Sequence, residues 1–337
     1  MDSALNIGPF IEKRDLGVTA IVGLLALAAQ CLPERRWPAV AGRVARWRLG
    51  RRKPLTAEEL ATIRVLVGNR PAEWIGRDYL PELLGHRYLS WLRLLACYPP
   101  RNWRPGARLE GVDNLDAALA AGKGAILWAT TFAYNDLYTK AALTEAGYRP
   151  HLLSQPSHGF AASRFGQRFL NPIYLRIEQR YLGDNIVIEA GDTASALTRV
   201  KQRLADNGVV VIYALPLGRR IATRPFLDGV VNLATGALNL GCETGAAVVP
   251  VFTTAGADGQ VTTSLAPALP WAADQPRADA IETMLDHYIP ELEHHARACP
   301  AQLAFPLKPA DGRLLIAPCA PPSKGSGEAL SASSSDA

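Results

Sequence analysis

Residues 112–137 read VDNLDAALAAGKGAILWATTFAYNDL. Apolar residues recur at helical spacing over 115–121, and Gly122 ends that helix. Ala125, Ile126, Leu127, Trp128 and Ala129 then follow without a polar break. A strand covered on both faces has this composition, as in a parallel sheet. The spacing predicts a strand over 124–130 and a second helix entered at Thr131. Ligands of open α/β sheets bind beyond the carboxyl ends of the strands. Thr131 and Asp136 fall there, so this stretch marks the candidate site as well as the fold.

Downstream the chain alternates strand and helix. Strands are expected over 149–154, 185–189, 209–214 and 246–253, with an edge strand over 260–265. Helices are expected over 160–181, interrupted by Pro172, and over 192–207, 233–242 and 277–297. Asp192 is the N-cap of the second of these and Gly208 its C-terminal glycine. The rhythm argues an α/β layered domain with a mainly parallel sheet, spanning 106–320. The tail from Pro321, PPSKGSGEALSASSSDA, has no apolar period and reads as disordered.

Upstream, 54–105 reads as a helical region, broken at Asn69, Arg70 and Pro71 and closed by PPRNWRP at 99–105. His86 within it reads as a structural histidine. The most apolar stretch is LGVTAIVGLLALAAQCL at 16–32. It sits near the lower limit of a bilayer-spanning helix, about 17 to 25 residues. A cleavable signal peptide fits poorly, because Gln30, Cys31 and Leu32 offer no small-residue cleavage site. Arg35, Arg36, Arg43, Arg46, Arg48, Arg51, Arg52 and Lys53 crowd in directly after it, interleaved with Trp37 and Trp47. Arginine next to an apolar helix, with tryptophan at the boundary, suits an anionic membrane surface better than nucleic acid. Residues 1–53 are therefore expected to associate with a membrane, as a span or as an interfacial helix. The basic side places the main domain in the cytoplasm.

The chain has 337 residues, 48% of them hydrophobic, with a net charge of +5. That is enough for a sizeable core and implies an anionic partner. Cys31, Cys97, Cys242, Cys299 and Cys319 stand singly, with no metal-binding spacing, and read as reduced thiols. The AGKG at 121–124 lacks phosphate-loop spacing and precedes its strand, so no nucleotide or other cofactor is implied.

The 112–137 stretch resembles the late acyltransferases of lipid A biosynthesis, within the wider glycerolipid acyltransferase group. Those proteins carry a helix, a glycine, a hydrophobic strand and then His-Phe-x-x-x-Asp/Glu. This chain has Thr131, Phe132, Ala133, Tyr134, Asn135 and Asp136. Phe132 and the acid match; Thr131 replaces the histidine, so the motif is degenerate. The resemblance extends from 109 to 252. PFLDG at 225–229 is similar to the family's Phe-x-Gly block, stretched by one residue, and ETGAAVVPVF at 243–252 to its closing segment. It implies transfer of a fatty acyl group from acyl carrier protein or acyl-coenzyme A to a lipid or glycolipid acceptor, at the cytoplasmic face of a bacterial inner membrane. It also implies that Phe226 and Gly229 lie at the substrate, and that Arg219, Arg220 and Arg224 face a phosphorylated headgroup. Arginine forks suit phosphate.

In the family the histidine is a general base, a role a threonine hydroxyl cannot fill. Three readings stay open. Acyl transfer could proceed with Asp136 as base, or with His158, whose loop follows a predicted strand and reaches the same sheet edge. The fold could serve as a catalytically inactive lipid- or carrier-binding protein. The site could also acylate an amine, which needs less help from a base. If the site is an acyltransferase pocket weakened by loss of its base, Thr131→His is expected to rebuild the family dyad; if Asp136 or His158 is the base, wild type is expected already to turn over.

Overall fold

The computed structural model describes residues 10–189, 192–216, 218, 220–304 and 314–319. The tail from Pro321 and Arg219 lie outside the described residues. Four helical stretches come first: α1 (Lys13–Cys31), α2 (Trp37–Leu49), α3 (Ala57–Val67), and a continuous run from α4 (Ala72–Trp74) through a π turn into α5 (Leu80–Ala96). The sheet domain then runs β1 (Ala107–Glu110), α6 (Val112–Ala120), β2 (Ala125–Ala129), α7 (Lys140–Glu145), β3 (His151–Ser154), α8 (Asn171–Glu178), β4 (Asp184–Val187), α9 (Thr193–Ala205) and β5 (Val209–Tyr213). Next come β6 (Ile221–Phe226), β7 (Gly229–Ala234), α10 (Gly236–Thr244), β8 (Ala247–Ala255), β9 (Val261–Leu265), α11 (Arg277–Ala298) and β10 (Ile316–Pro318).

The main sheet has the order β1-β9-β8-β2-β5-β3-β4. Strands β8, β2, β5, β3 and β4 are parallel, whereas β9 opposes β8 and β1 follows β9. This is the layered α/β fold with a mainly parallel sheet that the alternation predicts. β2 is central and buried throughout. Its residues alternate between faces, as strand geometry requires. Ile126 and Trp128 join a core with residues of α9, α10 and α11. Ala125, Leu127 and Ala129 join one with residues of α6 and Leu143 of α7.

Three expectations are corrected. The 260–265 strand is not an edge, because β1 pairs along its outer side. Residues 221–234 form an antiparallel hairpin that β10 extends, so the helix expected from 233 begins at Gly236. Pro172 does not break the helical run of 164–181 but falls where its π turn (Gly166–Leu170) passes into α8.

Helices α1, α2 and α5 share one core with residues of the sheet domain. Ile21 and Leu25 of α1, Trp37 and Val44 of α2, and Tyr88 and Leu92 of α5 cluster with Tyr134, Tyr138, Phe160 and Tyr174. α1 is tied down at both ends. Ser163 donates a 2.5 Å hydrogen bond to Asp15, and Gln30 bonds the carbonyls of Leu95 and Tyr98 at 3.1 and 3.3 Å. Among the described residues α1 is the one helix long and apolar enough to cross a membrane, and a third of that stretch is buried. Its outer stripe is bare: Leu16, Leu24 and Leu27 are 72%, 51% and 62% exposed.

Candidate active site

The chain does not turn into a helix at Thr131. The Thr131 hydroxyl donates to the Ala304 carbonyl at 2.7 Å, and the Thr131 carbonyl accepts from the Ala304 N–H at 2.7 Å. Phe132 forms a bridge with Leu303, and its ring packs edge-on against Phe252. This pairing holds 131–132 extended, so helical structure begins at Asn135. Asn135 secures the turn: its amide donates to the Thr130 carbonyl, and its side-chain oxygen accepts from the Thr253 N–H at 3.0 Å. Thr131 is thus fastened by main-chain and side-chain bonds and takes no part in the polar contacts of Asp136.

Asp136 is instead one corner of a cluster above the carboxyl ends of β2, β5 and β3. Asp136 follows β2, His158 follows β3, Tyr213 ends β5, and Tyr174 and Glu178 project from α8. His158 Nε2 lies 3.0 and 2.9 Å from the two carboxylate oxygens of Glu178. Lys140 Nζ donates to Glu178 Oε1, to the Asp136 carbonyl at 2.8 Å and to the Tyr213 hydroxyl at 3.3 Å. Tyr174 donates its hydroxyl to Asp136 Oδ2 at 2.9 Å. Lys140 and Glu178 are shut off from solvent, whereas the His158 side chain keeps 16% of its surface open.

The loop that carries His158 is held by local geometry. Gly159 has φ +134°, and a Cβ there would sit 2.6 Å from the Asn171 side chain. Only glycine takes that conformation without strain. Asn171 is buried and grips the loop from both sides. Its oxygen accepts from the Ala161 N–H at 3.0 Å, and its amide donates to the Ala161 carbonyl at 2.8 Å.

Charge balance explains the proton affinities. Burial works against every ion in the cluster, lowering His158 and raising the carboxylates. For His158 the Glu178 charge, the Glu178 hydrogen bond and the Asp136 charge outweigh burial, so its pKa stands above the ordinary value. For Glu178, burial is outweighed by His158 and Lys140 and the pKa is lowered. For Asp136, burial is outweighed by His158, Lys140 and the hydroxyls of Tyr213 and Tyr174, and the pKa is again lowered. Two carboxylates, one ammonium and one imidazolium sum to zero, so the cluster is neutral only while His158 carries its proton.

A carboxylate only accepts hydrogen bonds, so Nε2 of His158 must carry hydrogen toward Glu178. When the ring loses a proton it is therefore the Nδ1 lone pair that opens. This is a base with a fixed tautomer, the arrangement general-base catalysis needs. The ligand atoms of Asp136, His158 and Glu178 also lie within 4.8 Å of one another, close enough for a cation. Lys140 bonded to Glu178 would repel one, so the donor set fits proton handling better than metal binding.

The remaining sequence candidates lie elsewhere. Arg224 pairs with Glu282 of α11, and Arg220 donates to Asn239 at 2.9 Å. Among the described residues no contact joins either to the His158 cluster. Phe226 is fully buried in the core beneath the sheet. A Cβ on Gly229 would meet the Ala317 carbonyl at 2.4 Å, so β7 needs glycine to pair with β10. Packing, not a ligand, accounts for these two residues. His86 bonds the Tyr134 hydroxyl at 2.8 Å, and burial with the nearby Arg93 charge holds it down to about 4. It stays neutral and contributes no contact to Asp136. Sequence reasoning missed Lys140, Tyr174, Glu178 and Tyr213. Lys140 alone left a signal, four residues after Asp136 on one helical face.

No protein-family model matches the chain, and no curated protein matches it.

Proposed function

We propose that this chain is an acyltransferase that moves a fatty acyl group from an acyl thioester, on acyl carrier protein or coenzyme A, to a hydroxyl of a lipid or glycolipid. One observation carries the reading: a histidine with a carboxylate-fixed tautomer lies beside Asp136 at the carboxyl edge of the parallel strands. His158 takes the place of the histidine missing at 131, and Glu178 takes the orienting role that the resemblance gives to Asp136. His158 Nδ1 accepts the acceptor's hydroxyl proton. The oxygen bonds to the thioester carbonyl carbon, the carbon–sulfur bond breaks, and the thiolate leaves with the proton from His158. Release of free thiol from acyl-coenzyme A, dependent on an added lipid acceptor, tests this directly.

The geometry revises what Thr131→His should do. Thr131 faces Ala304 and Asp136 already has its partners, so the substitution is expected to leave turnover at the wild-type level. It should also lower stability by about 0.5 to 1.5 kcal/mol through loss of the hydroxyl–carbonyl bond. Turnover assays and urea melts of the two proteins check both parts. A rise of tenfold or more would restore Thr131 to the site.

A second reading, a non-catalytic lipid- or carrier-binding protein of the same fold, is favoured by the internal satisfaction of the cluster. Glu178 already serves both Lys140 and His158. Inactive but ligand-binding wild-type protein would support it.

We further propose that the protein works on the cytoplasmic face of a bacterial inner membrane, with α1 lying in the interface. Its inner face is committed to the core and both its ends are tied, while the outer leucine stripe is free for lipid. Burying a leucine contributes about 1.5 to 3 kcal/mol. Leu16→Asp with Leu24→Asp should therefore abolish sedimentation with acidic-lipid vesicles while the melting temperature holds. Undiminished sedimentation would rule α1 out as the contact.

A further inference from the structure

A cleft of about 430 Å³ opens between α1, α2 and α5, with none of the polar residues of the His158 cluster in its lining. Its lining combines two chemistries, the guanidinium groups of Arg48, Arg51, Arg52 and Arg87 and the apolar surfaces of Val18, Ile21, Trp91 and Phe160. No acid lines it. Arg52 is paired with Glu59 at 2.8 Å, whereas among the described residues Arg48, Arg51 and Arg87 have no ion pair. The Arg51 guanidinium lies over the Trp47 ring at 4.2 Å and that of Arg87 over Trp91 at 5.4 Å. Stacking engages the face of a guanidinium and leaves in-plane N–H groups for an anion; one of those of Arg51 donates to the Trp47 carbonyl at 3.4 Å.

We propose that this cleft binds a phosphate-bearing amphiphile, with the phosphate on Arg48, Arg51 and Arg87 and the alkyl part against Val18, Ile21 and Trp91. Three cations without carboxylates meet here, Arg48 from α2, Arg51 from the turn after it and Arg87 from α5, among apolar side chains. Such a lining matches a molecule with an anionic head and a hydrocarbon body, and a soluble phosphate ester would leave the apolar side chains uncontacted. Arg224, by contrast, already has a carboxylate partner in Glu282. The cleft also borders the candidate active site. Trp91 packs edge-on against Phe160, and Phe160 against Tyr174, each at 5.1 Å, and Tyr174 bonds Asp136. A ligand seated in the cleft therefore touches the aromatic wall that separates it from the His158 cluster. Binding here does not depend on the acyl-transfer reading.

The test is calorimetric binding to the full chain of a dihexanoyl phosphatidylglycerol kept below its micelle concentration. Glycerol 3-phosphate and a dihexanoylglycerol without phosphate serve as the other probes. Wild type is expected to bind one phosphatidylglycerol saturably, at least tenfold more tightly than either of the other two. Arg48→Gln with Arg87→Gln should weaken that binding at least tenfold. These side chains are exposed, so the melting temperature should hold. Trp91→Ala should weaken the lipid but not glycerol 3-phosphate. His158→Gln should bind as wild type does, which separates this proposal from the catalytic one. Unchanged affinity in the double arginine variant, or equal affinity for the neutral lipid, would overturn the site. Glycerol 3-phosphate binding as tightly as the lipid would overturn the amphiphile.

Discussion

His158→Gln is expected to lower acceptor-dependent thiol release by about 10² to 10⁴, the usual contribution of a general base. Glutamine keeps a donor toward Glu178 but has no basic lone pair, so fold and binding should persist while chemistry is lost. The pH profile carries the signature. His158 must be deprotonated to act, and its pKa is raised by Glu178 and Asp136 against the opposing effect of burial. The rate should climb with pH through a midpoint above about 6.5, the ordinary histidine value. Glu178→Gln removes the charge that raises it and can present an N–H to Nε2, favouring the wrong tautomer. The midpoint should move to lower pH while the plateau rate falls. A profile with no limb in this range, or a Glu178→Gln profile with an unmoved midpoint, would contradict the role given to His158.

Lys140→Met is expected to destabilise the fold by about 3 to 5 kcal/mol, read from denaturant melts, because it leaves buried carboxylate charge without its ammonium. Wild-type stability should itself depend on pH in two windows. The raised pKa of His158 means that its contribution is full below about 6.5 and is lost as pH rises through the folded value. The lowered values of Asp136 and Glu178 mean that theirs is present above about pH 4 and is lost as pH falls through the folded values. In Lys140→Met the alkaline loss should grow, since His158 is then the one cation beside the two carboxylates of Asp136 and Glu178. A cost under 1 kcal/mol would mean that the pair carries little of the stability.

The layered fold was legible where composition left one choice. The apolar run of β2 could only be a buried strand, and Asp192 caps α9 as expected, accepting from the Ser195 N–H at 3.2 Å. The hairpin β6–β7 was hidden because IATRPF alternates weakly and contains Pro225, which an antiparallel edge tolerates. Asp136 and His158 were legible as residue types at one sheet edge. Glu178 was not, because it stands at the end of an amphipathic helix where an acid ordinarily faces water. Its burial depends on Lys140 and His158, which are remote from it in sequence. The extended course of Thr131 was equally hidden, since its partner Ala304 lies 173 residues away.

The most direct measurement of the central claim is release of free thiol by purified wild-type protein from long-chain acyl-coenzyme A and acyl carrier protein, with and without a hydroxylated lipid acceptor in acidic-lipid vesicles. Acceptor-dependent release with acylated lipid formed in equal amount is expected, and its loss in His158→Gln. Release that continues undiminished in folded His158→Gln, or folded wild-type protein that binds lipid yet releases no thiol from either donor, would contradict that claim.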